Sequence, residues 1–158
     1  MKHLGYTIAV AVFVLDQFAK YWVTAVLDLR TRGVIGLFPG FDLTWVENTG
    51  VSMNLFRADG DAGRWLLVGV TLAIAAGVAV WIARETNRLD TIALGLVLGG
   101  ALGNIIDRVR LGYVVDFLHV YWRDHHFYVF NVADAAITVG VILLLVRAAI
   151  APQPAKPV

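Results

Sequence analysis

The sequence predicts an all-α membrane protein: four transmembrane helices, with a small β-element and an interfacial loop carried between them. Three observations support that prediction. Hydrophobic residues make up 59% of the 158 and charged residues 16%, and the mean hydropathy of +0.72 lies well outside the range of soluble domains. Four apolar stretches, near 4–26, 64–83, 90–109 and 132–150, each approach the run of about 20 helical residues that crosses a hydrocarbon core. Between the first two, residues 28–63 lose this long apolar character and alternate instead, as a half-buried strand does.

The first stretch begins after Lys2 and His3 and could be mistaken for a secretory leader. Asp16 and Lys20 interrupt it and no small-x-small cleavage site follows, so it is expected to be retained as a span. In residues 28–63, FDLTWVENTGVSMNLF contains an alternating run, an Asn-Thr-Gly turn signal and a second short apolar run. This predicts a β-structure lying at the membrane surface. The second span, RWLLVGVTLAIAAGVAVWIAR, has no internal charge and carries Trp65 and Trp81 near its ends, where aromatic belts sit. Its link to the third span, RETNRLD, is short and polar, which predicts a tight antiparallel helical hairpin. Residues 110–131 form a second sizeable loop, rich in aromatics and histidine, and the fourth span follows. The tail APQPAKPV, residues 151–158, is Pro-rich and expected to be disordered. The length suits a single domain over residues 1–158.

Composition also excludes function classes. A net charge of +1 without a basic cluster argues against nucleic acid as a partner. With no cysteine, disulfides, thiol catalysis and cysteine metal sites are ruled out, and the chain is not itself a lipoprotein. Four spans place both loops on one side of the membrane. That side carries Arg30, Arg32, Arg57, Arg64, Arg108, Arg110 and Arg123, against Lys2, Arg84, Arg88, Arg147 and Lys156 on the side of the termini. The positive-inside rule therefore does not assign the orientation.

The chemistry-bearing residues cluster at the span edges. Asp116, in GNIIDRVRLGYVVDF, and Asp134, in FNVAD, bracket the link between the third and fourth spans. A carboxylate at the edge of hydrocarbon is costly and is by default a functional hypothesis; two of them could share one site and one proton. Asp16 and Lys20 are four apart on one helical face, which fits either a neutralised pair orienting the helix or contact with substrate. Gly95, Gly99 and Gly103 repeat every four residues, the small-xxx-small pattern of close helix packing. Asn104, Asp107 and Arg108 follow on one face. Asp107 reads as structural support, pairing with Arg108 or a neighbouring helix, whereas Asn104 and Arg108 are equally suited to support and to substrate contact.

Taken singly, several of these residues have ordinary explanations. Asn131 can be a helix N-cap, and Asp134 an acidic residue favoured by the helix dipole. Asn48, in the ENTG turn, can be explained by tolerance of left-handed backbone. Asp116 and His119 have a spacing that could hold a metal, but without a third matched ligand the signal is weak and no metal is predicted. His119, His125 and His126 are expected in the wet interface, and Trp45, Tyr121 and Trp122 as interface anchors.

The order of the motifs is more specific than any one of them. Asp-Gln-x-x-Lys in the first span is followed by Asn-x-Gly in the first loop, then GGALGNIIDRVRLGYVVDF, then FNVADAAITVG. Over essentially the whole chain this resembles bacterial lipoprotein signal peptidase (signal peptidase II). The resemblance implies an integral aspartic endopeptidase that uses no cofactor. Its substrates would be prolipoproteins carrying diacylglyceryl-cysteine, cleaved just before that residue, and its other partners membrane lipids. It also implies a monomer in the inner membrane, with a periplasmic β-element and active site and both termini cytoplasmic. Matched motif by motif, the catalytic pair falls on Asp116 and Asp134, and supporting positions on Asp16, Lys20, Asn48, Gly50, Asn104, Asp107, Arg108 and Asn131. Two departures affect the local pocket: Met53 where the family commonly has phenylalanine, and Ala135 where serine often follows the aspartate.

The alternative from another class is a small proton-coupled transporter or channel component with Asp16, Lys20 and Asp107 as a relay. A membrane assembly factor would account for the glycines but not for the interfacial carboxylates. A metalloprotease would be sensitive to chelators, whereas a carboxylate pair would not.

Overall fold

The computed structural model describes residues 1–50, 61–123 and 125–150. Helix α1 (Lys2–Tyr21) runs into one turn of π-helix (Trp22–Val26), followed by the short α2 (Leu29–Arg32). Next come β1 (Val34–Phe38), β2 (Phe41–Asn48), α3 (Asp61–Arg84) and α4 (Arg88–Leu111). Strands β3 (Val114–Trp122) and β4 (His125–Phe130) precede the last helix, α5 (Val132–Ile150). Among the described residues four helical segments are long and apolar enough to cross a membrane: Lys2–Val26, Ala62–Arg84, Arg88–Leu111 and Val132–Ile150.

Helix α4 is the axis of the bundle and packs against α1, α3 and α5. Its apolar stretch is 56% buried, against 22% or less in the other three. Small residues permit this central place. A Cβ added at Gly99 would lie 2.5 Å from the Ala9 carbonyl oxygen of α1, and one at Gly103 only 2.6 Å from Asp16 Oδ2. The expected small-xxx-small packing is therefore a close contact between α1 and α4. Asn87 caps the start of α4, accepting from the Leu89 and Asp90 amides, and Arg147 of α5 grips Asp90 through Nε and Nη2 at 3.3 and 3.2 Å. Helix α3 is the most apolar of the four spans, and its Trp65 and Trp81 are each half exposed, as belt residues are.

The four strands form one antiparallel sheet in the order β1-β2-β3-β4. The β1–β2 turn is Pro39–Gly40, with Gly40 at φ +93, a backbone region that glycine enters without strain. The rings of Phe38 and Phe41 close this turn, stacked 5.2 Å apart. The hairpin thus lies ahead of the Asn-Thr-Gly signal rather than around it, and the second apolar run expected after that signal, with Met53, lies outside the described residues. The loop expected over 110–131 contains the hairpin β3–β4, which completes the sheet. Its Val, Phe, Tyr and Trp content fits a pleated surface as well as a membrane interface.

Strand β3 is the most deeply placed, with Val114 to Phe117 all buried. Val115 and Phe117 share a core with Leu43 of β2, Val23 of the π-turn and Leu29 of α2. That core anchors the sheet to the end of α1, so that Asp116 stands against the ends of the spans.

Candidate active site

Helix α4 ends at Gly112, whose left-handed backbone (φ +88) lets its amide close back on the Arg108 carbonyl at 3.2 Å. This reversal sends the chain directly into β3. Arg64 of α3 also donates to carbonyls at the end of α4, from Nε to Arg108 O at 2.7 Å and from Nη2 to Val109 O at 2.6 Å, where the helix itself runs out of amide donors.

Asp116 sits on β3 opposite Val46 of β2 and is 1% exposed. Asp134 is in the first turn of α5. Asn131 stands between them. Its Oδ1 accepts from the Asp134 amide at 2.9 Å while Asp134 Oδ2 accepts from the Asn131 amide at 3.3 Å, a reciprocal capping arrangement. Its Nδ2 donates to Asp116 Oδ1 at 2.7 Å. The ordinary cap expected of Asn131 is therefore present, and the same side chain connects the two carboxylates.

Each aspartate has a second amide donor. Asn48 Nδ2 donates to Asp116 Oδ2 at 2.9 Å, while Asn48 Oδ1 accepts from the Gly50 amide at 2.8 Å. Among the described non-glycine residues only Asp28 and Arg123 have positive φ, so the left-handed backbone expected of Asn48 is absent. The left-handed residue of the turn is Gly50 (φ +81), where a Cβ would meet Leu67 Cδ1 at 2.7 Å and Arg108 Nη2 at 3.4 Å. Asn104 Nδ2 donates to Asp134 Oδ1 at 2.7 Å.

Behind this pair is an ionic brace. Lys20 Nζ lies 2.8 Å from Asp16 Oδ2 and 2.7 Å from Asp107 Oδ2, all three side chains being buried. Asp16 Oδ1 accepts from the Ala133 amide at 2.9 Å, and Asp107 Oδ2 from the Val115 amide at 3.3 Å. These amides belong to the residues immediately before Asp134 and Asp116. The brace therefore holds the backbone on both sides of the pair at a set separation. Asp107 pairs with Lys20 rather than with its neighbour Arg108, and Lys20 carries the charge that makes two buried carboxylates tolerable.

Gln17 has no expected role, yet its Nε2 reaches Asp107 Oδ1 at 3.0 Å, Asp16 Oδ2 at 3.2 Å and Gly103 O at 3.4 Å. The available signal was a long polar side chain in an apolar span, three residues before Lys20 and so on the same face. Arg108 Nε is buried and finds no hydrogen-bond partner among the described residues, although the guanidinium feels Asp134, Asp116 and Asp107 electrostatically.

Burial pushes the Asp116 carboxyl up to about 6; the Asn48 hydrogen bond opposes this, and the nearby Asp134 charge adds to it. An open cleft of about 340 Å³ leads to Asp116 between Val46, Glu47, Asn48 and Thr49 on one side and Tyr128 and Val129 on the other. No group of three or more metal-ligating side chains occurs among the described residues. Asp116 and His119, three apart on a regular strand, point to opposite faces. His119 is buried, not in the wet interface, and its Nδ1 lies 2.8 Å from Asp42 Oδ1 while its ring stacks on His126 at 5.2 Å.

Comparison with known proteins bears on the family and the fold. The family described as Signal peptidase (SPase) II matches residues 8–150. A lipoprotein signal peptidase of Rhizorhabdus wittichii is 54% identical over 157 residues, covering 99% of this chain and 91% of that protein. One from Sphingopyxis alaskensis is 52% identical over 145 residues, covering 91% and 84%. A solved bacterial membrane enzyme superposes with a TM-score of 0.80 at 28% identity, covering 98% of this chain and 93% of the other. A family match over nearly the whole length, close relatives and a common fold lead to one conclusion: the chain belongs to the signal peptidase II family of membrane proteases.

Proposed function

We propose that this protein is an aspartic endopeptidase that removes signal peptides from diacylglyceryl-modified prolipoproteins, cutting immediately before the lipidated cysteine. The observation carrying this reading is the pair Asp116 and Asp134, joined through Asn131 and supported by Asn48 and Asn104. Two neighbouring carboxylates do not readily both ionise, so one keeps a proton. The ionised member takes a proton from water, which attacks the scissile carbonyl. The protonated member donates to the carbonyl oxygen, and the leaving nitrogen is protonated as the intermediate collapses.

The surroundings fit such a substrate. The Nε of Arg108, beside Gly50 and without a hydrogen-bond partner among the described residues, is a donor for a peptide carbonyl. A wholly apolar groove of about 300 Å³ between α1 and α4, lined by Ala9, Val10, Phe13, Leu102, Ile105 and Ile106, suits an acyl chain that stays in the bilayer. On this reading the protein works in the bacterial inner membrane as a monomer, with the sheet and cleft at the periplasmic face and both termini in the cytoplasm. The transporter reading fares less well. Lys20, Asp16 and Asp107 form a closed, hydrogen-bonded brace, not a line of exchangeable sites across the bilayer.

The test is a gel-shift processing assay with a diacylglyceryl-modified precursor and its unlipidated counterpart. Wild type is expected to shorten only the lipidated form, and Asp116→Asn neither. Equal cleavage of both precursors, or full cleavage by Asp116→Asn, contradicts the reading.

A further inference from the structure

Lys20 has an acceptor for each of its three ammonium protons. Two are the carboxylates of Asp16 and Asp107; the third is Asn104 Oδ1 at 3.3 Å. That oxygen also accepts from Asn131 Nδ2 at 3.2 Å. Both neighbours can only donate, so the amide's orientation is settled and its Nδ2 is the end facing Asp134 Oδ1 at 2.7 Å. An ammonium at the carbonyl end of an amide strengthens donation from the other end. Asp134 thus receives an N–H polarised by a full positive charge, and stands in the first turn of α5, where the helix dipole favours an anion.

Asp116 has neither advantage. It lies on a strand, and strands contribute little net dipole. Its donors are the neutral amides of Asn48 and Asn131, and Asn131 Nδ2 is divided among Asp116 Oδ1, Asn104 Oδ1 and Val115 O. Among the described residues the charged groups around the pair are Asp16 and Lys20 from α1, Asp107 and Arg108 from α4, and Glu47 of β2 on the cleft wall. Arg64 of α3 is bound to the end of α4, and β4 presents the neutral Tyr128. The charges from α1 and α4 sum to zero, so what Lys20 gives Asp134 comes by direction, through Asn104, while its charge also reaches Asp116 directly.

We infer that Lys20 is a positioning residue for the reaction: through Asn104 it fixes the negative charge of the pair on Asp134 and leaves the shared proton on Asp116. The inference rests on the aspartic reading above and assigns the roles left open there. Asp134 takes the proton of the attacking water as the C–O bond forms, and Asp116 gives its proton to the carbonyl oxygen, producing a neutral gem-diol. On collapse, one diol proton returns to Asp116, the C–N bond breaks, and the amine takes the proton held by Asp134. The pair ends as it began. The upward displacement of the Asp116 carboxyl to about 6, caused first by burial, agrees with this assignment.

The experiment is the pH profile of kcat/KM for the full-length enzyme in detergent or bicelles, on a diacylglyceryl-modified precursor. The two apparent pKa values belong to the pair. Asn104→Ala leaves the Lys20 brace intact and is expected to move the lower limb up by about one pH unit, about a tenfold change in the pair's proton affinity, with the upper limb in place. Lys20→Met moves both limbs up, because the Lys20 charge also acts directly on Asp116. In an Asn104→Ala background, Lys20→Met shifts the lower limb no further, the signature of one shared line. A bell that stays in place while the rate falls uniformly makes Asn104 merely structural and overturns the inference, as do additive lower-limb shifts. Wild-type turnover by Asp116→Asn or Asp134→Asn overturns instead the aspartic reading beneath it.

Discussion

At the scale of single residues, Asp116 and Asp134, the proposed catalytic pair, have unequal surroundings. Asp116 is almost fully buried with neutral donors, and its carboxyl is raised to about 6. A carboxyl raised in the folded state costs stability where it is ionised, above about pH 6, and that cost fades as pH falls toward the ordinary carboxylate range. Asp116→Asn removes this titration. The difference in thermal midpoint between wild type and Asp116→Asn is therefore expected to move in favour of the variant between pH 5 and pH 8; a pH-independent difference would contradict the burial argument. Lys20 is the other decisive residue. Replacing it with methionine leaves Asp16 and Asp107 facing each other in the bundle, a loss on the order of 3–5 kcal/mol for a broken buried ion pair. A denaturation midpoint within 2 °C of wild type would show that the brace carries no stability.

At the scale of elements, the site is made where helix ends meet strand starts. The α4–β3 reversal at Gly112 and the capping arrangement at the start of α5 set the two aspartates facing one another across Asn131. Asn131→Ala removes both a cap and a donor to Asp116; the cap alone is worth about 1 kcal/mol. The variant is expected to lose that stability and most of its turnover together, and full turnover would show that the contact to Asp116 is dispensable. Gly99 is fixed by the α1–α4 contact. Gly99→Val is expected to destabilise the bundle by about 1–3 kcal/mol through overpacking, measured by thermal unfolding in detergent.

Much of this scale was legible in the chain. Long apolar runs mark the four spans, and the block order marks the polar positions that come together. The sheet was read only in part, because the valines and aromatics of β3 and β4 suit an interfacial loop as well as a strand. The Gln17–Asp107 contact and the Asp42–His119 pair escaped notice because the partners lie on different elements, 90 and 77 positions apart in sequence. Hydrophobic periodicity carries no information about such pairings.

For the whole molecule, the bundle holds a polar site at one end of four apolar helices, which under the proposed function lets a bilayer-anchored substrate present a peptide bond without leaving the membrane. Chelators are expected to leave processing unchanged, since the proposed reaction uses two carboxylates and water. The central claim is that Asp116 and Asp134 act as one catalytic pair. It is tested most directly by single-turnover cleavage of a diacylglyceryl-modified precursor by Asp134→Asn, alongside a binding measurement with the same precursor. The account predicts retained binding with cleavage reduced by at least about 10³-fold, in line with the loss of an acid–base group and of the positioned water. Cleavage by Asp134→Asn at the wild-type rate would contradict it.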